Sequence, residues 1–88
     1  MAKKERDIDK AHAHSIYNKT DLSLSSVCGC FCCLSIFSPS EIEEYVEESP
    51  DDTAICPFCF VDSVIGDRCG YLITEELLKK MRQYWIEN

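Results

Sequence analysis

Cys30-Phe-Cys-Cys33 and Cys56-Pro-Phe-Cys59 are two Cys-x-x-Cys pairs with 22 residues between them. A turn of this kind places two sulfurs on one side of an ion, and two such turns close a tetrahedral site. The spacing predicts a chain folded around one structural zinc held by Cys30, Cys33, Cys56 and Cys59. Zinc with four thiolates keeps no open coordination position, so the motif bears on architecture before catalysis. Size alone calls for such a staple, because 88 residues bury little apolar surface for their length.

Seven cysteines would also allow disulfides, and the compartment decides between the two chemistries. The opening Met-Ala-Lys-Lys-Glu-Arg-Asp lacks the apolar stretch of a secretory leader, and the apolar run from Phe31 to Phe37 is too short to span a bilayer. An odd cysteine count would leave one thiol out of any disulfide framework. The expectation is a cytoplasmic protein with reduced thiols and no membrane segment. Cys28 stands close enough to Cys30 to replace one of the first pair. Strict spacing favours Cys30 with Cys33, since backbone amides after the first thiolate can then donate to sulfur. Cys32 is expected in the core as a small hydrophobe, and Cys69, between Arg68 and Gly70, as a spare thiol in a turn. Phe60 follows Cys59 where glycine commonly supplies a left-handed backbone. His12 and His14 would diverge by roughly 200° on a helix, so they could share an ion only in an extended chain. Tyr17, Asn18, Asp62 and Ser63 are polar groups that could line a cleft.

The remaining pattern predicts a small α+β domain, zinc-ribbon or treble-clef-like, with short strands and two to three helices. The whole of 1–88 forms one domain, with a flexible start over 1–10. A weak helical period runs from Asp7 to Lys19, and Leu22 to Val27 alternates as an extended segment would. Ser38-Pro39-Ser40-Glu41 has the form of a capping box with proline at the first helical position. It predicts a helix that buries Ile42, Tyr45 and Val46 and ends before Pro50. Thr53–Ile55 and Val61–Ile65 read as strands on either side of the second cysteine pair. Tyr71–Ile73 reads as a returning hairpin strand after the Gly66-Asp67 turn. Thr74 caps a final helix with Leu77, Leu78, Met81 and Trp85 along one side.

The net charge of −7 has a single source. Residues 1–40 carry five basic and four acidic groups, and 53–88 carry four basic and five acidic; Glu41, Glu43, Glu44, Glu47, Glu48, Asp51 and Asp52 lie between with no cation among them. Such a block repels phosphate backbones and attracts basic surfaces.

Cys28-Gly-Cys-Phe-Cys-Cys-Leu-Ser-Ile-Phe37, Ser40-Glu-Ile-Glu-Glu-Tyr45, Ala54-Ile-Cys-Pro-Phe-Cys59, Asp62-Ser-Val-Ile65 and Leu78-Lys-Lys-Met81 with Trp85 together resemble a group of small bacterial cytoplasmic proteins with paired Cys-x-x-Cys zinc knuckles and uncharacterised function. The resemblance covers most of residues 14–86. It implies a free-standing zinc-knuckle domain and brings no activity; Cys32 occupies a position where that group is expected to have an aromatic residue.

Three functions compete. The leading one is a non-enzymatic protein–protein interaction module, such as an acidic inhibitor or immunity-type protein, that meets a basic partner through Glu43, Glu44, Glu47, Glu48, Asp51 and Asp52. A nucleic-acid-associated zinc-ribbon regulator is the second, supported only by Lys79, Lys80, Arg82 and the Lys3, Lys4, Arg6 tail. A thiol-dependent oxidoreductase is the third; it would need a Cys-x-x-Cys at a helix start, and Cys33 precedes Ser38 by five residues.

Overall fold

The computed structural model describes residues 7–87. It contains helices α1 (Asp7–Ala13), α2 (Lys19–Ser23) and α3 (Glu75–Trp85) and strands β1 (Cys28–Cys30), β2 (Ile36–Phe37), β3 (Glu44–Val46), β4 (Thr53–Ile55) and β5 (Val64–Gly66). This is the small α+β arrangement that the sequence predicts. Of the start expected to be flexible, residues 1–6 lie outside the described residues, and 7–10 belong to α1.

Strands β2, β1 and β5 form an antiparallel sheet in that order, and β3 and β4 form a separate antiparallel pair. Alternation along β1 and β5 divides the core into two. Cys28, Cys30 and Val64 face Leu22, Phe37, Ile42, Ala54 and Cys56. On the other side, Ile65 joins Ala11, Phe31, Cys69, Leu78 and Met81. Gly29 lies beneath this second cluster, where a Cβ would come within 2.8 Å of Ile73 and 2.9 Å of Leu78. The missing side chain is what lets α3 approach the sheet. Helix α3 begins as its sequence indicates: the Thr74 hydroxyl accepts from Leu77 N–H at 3.1 Å, and Leu78 and Met81 are fully buried.

Several elements differ from those the sequence predicts. The expected helix over 7–19 stops at Ala13, and the chain turns through Tyr17, at φ 54°, into α2. Residues 22–27 are not an extended strand, because 22 and 23 belong to α2 and bury Leu22. Asn18 explains the change. Its amide nitrogen donates to the carbonyls of His14 (3.0 Å) and Val64 (2.8 Å), and its oxygen accepts from Ala54 N–H (2.9 Å). One buried side chain thus ties the turn that follows α1 to β5 and β4.

The predicted acidic helix is also overturned. Its capping box is present, with Ser38 N–H donating to Glu41 at 2.9 Å and Ser40 N–H to the Ser38 hydroxyl at 3.3 Å. The helix nevertheless ends after a single 3₁₀ turn, Pro39–Glu41, and the chain becomes β3. Continuing it would stack Glu43 on Glu47 and Glu44 on Glu48 with no neighbouring cation, whereas Tyr45 and Val46 favour a strand and find a partner in β4. Tyr71–Ile73 is irregular, because β5 pairs with β1 and not with a following strand.

Replacing Asn18 with Ala would leave the Ala54 N–H and Val64 C=O buried without partners. The expected loss is on the order of 2–4 kcal/mol of unfolding free energy in urea titrations of the metal-loaded protein. A loss below about 0.5 kcal/mol would mean that water replaces the amide.

Candidate metal centre

The two Cys-x-x-Cys turns adopt one backbone form. Leu34 N–H donates to Cys30 C=O at 2.8 Å, and Phe60 N–H to Cys56 C=O at 3.0 Å. Cys30 N–H donates to Ser35 C=O at 2.9 Å, and Cys56 N–H to Val61 C=O at 3.0 Å. The residue after each second cysteine is left-handed: Leu34 at φ 66° and Phe60 at φ 63°. Neither position has the glycine that would adopt this conformation without strain, and each costs roughly 1–2 kcal/mol. The first turn joins β1 to β2 within one sheet. The second carries the chain from β4 in one sheet to β5 in the other, so the cysteines meet where the sheets adjoin.

Sγ atoms of Cys30, Cys33, Cys56 and Cys59 lie within 4.8 Å of one another. Cys30 and Cys59 are 3.5 Å apart, and Cys33 and Cys56 3.7 Å. An ion with metal–sulfur bonds of about 2.3 Å has tetrahedral edges of about 3.8 Å, so these separations fit one metal ion and are far longer than a disulfide bond. All four thiols are free.

Donors converge on the sulfurs as a bound thiolate requires. Cys32 and Cys33 N–H point at Cys30 Sγ from 3.3 and 3.4 Å, and Phe58 N–H at Cys56 Sγ from 3.4 Å. The buried Ser63 hydroxyl sits 2.9 Å from Cys30 Sγ, and the Cys33 thiol donates to the Ser35 hydroxyl at 3.1 Å, a contact that the hydroxyl can reverse once the sulfur is ionised. Burial opposes ionisation of Cys33, but hydrogen bonding, led by Ser35, brings its thiol down to about 7. Burial is the main cause that pushes Cys56 and Cys59 up. A metal bound there would displace protons from Cys56 and Cys59, whose burial opposes ionisation in its absence.

The other cysteines stand apart. Cys28 is buried, donates to Phe37 C=O at 3.4 Å and is pushed up to about 12, first by burial and then by Glu41. It does not join the ligand group. Half-buried Cys32 packs against the first core cluster, and Cys69 is buried in the second, more enclosed than a surface thiol. The histidines also lie outside the group. His14 Nδ1 is 2.9 Å from Asp21, and the His12 ring stacks on Trp85 with centroids 3.8 Å apart. Asp62 and Ser63 do line a cleft of about 340 Å³ with His12 and Trp85, whereas Asn18 is buried in the structural role described above. Ser35 and Ser63 are the sulfur-binding groups least visible in the sequence. Ser35 only follows a motif, and Ser63 reaches Cys30 across the β1–β5 pairing.

Positions in the acidic block differ. Asp51 accepts from Thr20 N–H at 2.8 Å, a bond that is the main cause holding its carboxyl below the usual range. Asp52 offers its C=O to Lys19 N–H at 3.0 Å and its carboxylate to Lys19 Nζ at 3.6 Å. These two residues satisfy the first turn of α2. Glu43, Glu44, Glu47 and Glu48 are exposed, and none is ion-paired among the described residues.

No protein-family model, no curated protein and no solved structure matches the chain.

Elemental analysis is expected to find one metal ion per chain. Cys30→Ser or Cys56→Ser should abolish that stoichiometry, while Cys28→Ser and Cys69→Ser keep it. Chelation should remove both the ion and the cooperative unfolding transition. A second expectation concerns His12, whose pKa is lowered by burial, with Asp9 partly opposing the shift. The folded state favours the neutral ring. Its contribution is therefore complete above pH 6.5 and is lost as pH falls from there toward the lower folded pKa. Stability measured against pH should show this loss in the native chain and less of it in His12→Phe, which keeps an aromatic ring over Trp85.

Proposed function

We propose that this chain is a zinc-stapled, non-enzymatic interaction module that presents the acidic β3–β4 hairpin to a basic surface of another protein. Zinc is the ion that best suits four cysteine ligands in a closed tetrahedral site with no redox duty. The division of the acidic block carries the interaction reading. Asp51 and Asp52 are engaged by α2, and four glutamates on or beside β3 project from the hairpin with no ion-pair partner among the described residues. Concentrated unpaired charge accelerates encounter with an oppositely charged surface and discriminates against like-charged ones. An inhibitor of a basic enzyme is one protein that would use it.

The alternative readings have weaker support. The cationic cluster that a nucleic-acid regulator would need is largely neutralised: Lys79 pairs with Glu75 at 2.8 Å, Lys80 with Glu76 at 3.6 Å, and Arg82 Nε lies 2.9 Å from Glu87 without the alignment of a hydrogen bond. A thiol oxidoreductase would place a cysteine pair at a helix start, but Cys33 is followed by β2 and Cys59 by β5.

Affinity capture at low ionic strength tests the proposal. A basic partner should be retained by the native protein, released by high salt, and lost when Glu43, Glu44, Glu47 and Glu48 are all changed to Gln. Retention by the four-glutamine variant with zinc content unchanged would refute the assignment of this surface.

A further inference from the structure

The hydrogen-bond parity of the β3–β4 pair identifies an open strand edge. Ala54 N–H is taken by the Asn18 side chain, Asp52 C=O by Lys19 N–H, and Cys56 N–H donates to Val61 C=O. Residues 52, 54 and 56 therefore turn their backbone groups away from β3, and 53 and 55 turn theirs toward it. With Tyr45 opposite Ala54, the pair Tyr45–Ala54 is the non-hydrogen-bonded kind, and Glu44–Ile55 and Val46–Thr53 are the bonded kind. Tyr45 thus directs its N–H and C=O outward from the pair, and no other hydrogen bond of the described residues reaches them. The opposite edge of the pair, along β4, is closed by Asn18, Lys19 and Val61.

We propose that the outer edge of β3, centred on Tyr45, is a docking site for an extended, Lys- or Arg-bearing segment of a partner protein, which adds to the hairpin as a third strand. The inference rests on the interaction-module reading and specifies how the partner binds. Charge selects the occupant. Glu43, Glu44, Glu47 and Glu48 flank the edge on both sides of Tyr45, so a basic strand is attracted. A second copy of this chain would set glutamates against glutamates, and is rejected. Acidic residues on a short strand are a common protection against indiscriminate edge pairing, and here they leave the edge open to one class of partner. Apolar contact is available beside it, with Val46 44% and Phe60 70% exposed. The Tyr45 ring also lines a cleft of about 470 Å³ with Ile42 and Ser40, which can receive a side chain of the added strand.

The test uses the full, metal-loaded chain, isotope-labelled for amide spectra, at low salt. One probe is a short peptide alternating lysine and valine, and the other is the same peptide N-methylated at alternate backbone nitrogens. The unmethylated peptide should shift the Tyr45 amide resonance and slow its hydrogen exchange, and N-methylation should weaken binding by roughly tenfold, the effect of losing one or two backbone hydrogen bonds. Equal affinity for the two peptides, or a Tyr45 amide that does not respond, overturns strand addition. If that binding is still lost in the four-glutamine variant, the acidic-surface reading survives without it. Failure of both peptides to bind overturns the strand-addition site, and the capture experiment then decides the broader reading.

Discussion

Four sulfur atoms held between two small sheets are the contact on which the tertiary arrangement depends. The β2–β1–β5 sheet and the β3–β4 pair share no hydrogen-bonded strand, and each is too short to form a core alone. They are joined by the second cysteine turn and by one buried amide, Asn18, which bonds to a strand of each sheet. A cation at the sulfurs converts this junction from a packing of thiols into a set of coordinate bonds, and metal affinity becomes folding free energy.

The local signals in the sequence were clear where a motif and its structure occupy the same few residues. The paired cysteine turns, the Thr74 cap and the face of α3 are of this kind. Left-handed Phe60 shows that the turn form persists even without the usual glycine. The signals misled where a distant segment competes. Ser38, Pro39 and Glu41 form their capping box, yet β4 supplies hydrogen bonds that a helix of mutually repelling glutamates would have to match. Alternation over Leu22–Val27 suggests a strand, but Asp51 and Asp52 satisfy the start of α2 from a remote part of the chain. Pairing of β1 with β5 leaves no trace in local pattern, and with it went the role of Ser63 and the fate of Tyr71–Ile73.

A hairpin in place of a helix alters what the acidic charge can do. On a helix the backbone groups would be consumed internally and only side chains would face a partner. On a strand the same glutamates surround backbone donors and acceptors, so the proposed partner would meet charge and directional hydrogen-bonding groups at one place. The charge and the backbone edge both follow from the pairing of residues 44–46 with residues 53–55.

Each cysteine turn contributes one fully enclosed sulfur-bearing residue, Cys30 or Cys56, and one half-buried residue, Cys33 or Cys59. The centre therefore has an inner and an outer pair. A competing ligand would approach past Cys33 and Cys59, and Cys30 and Cys56 would be the residues that hold the ion from the inside. Exchange of a bound ion would then start from the solvent side, where Cys33 and Cys59 would be the first ligands to be replaced. Permanence of the staple becomes a kinetic property, distinct from the affinity that makes it a staple.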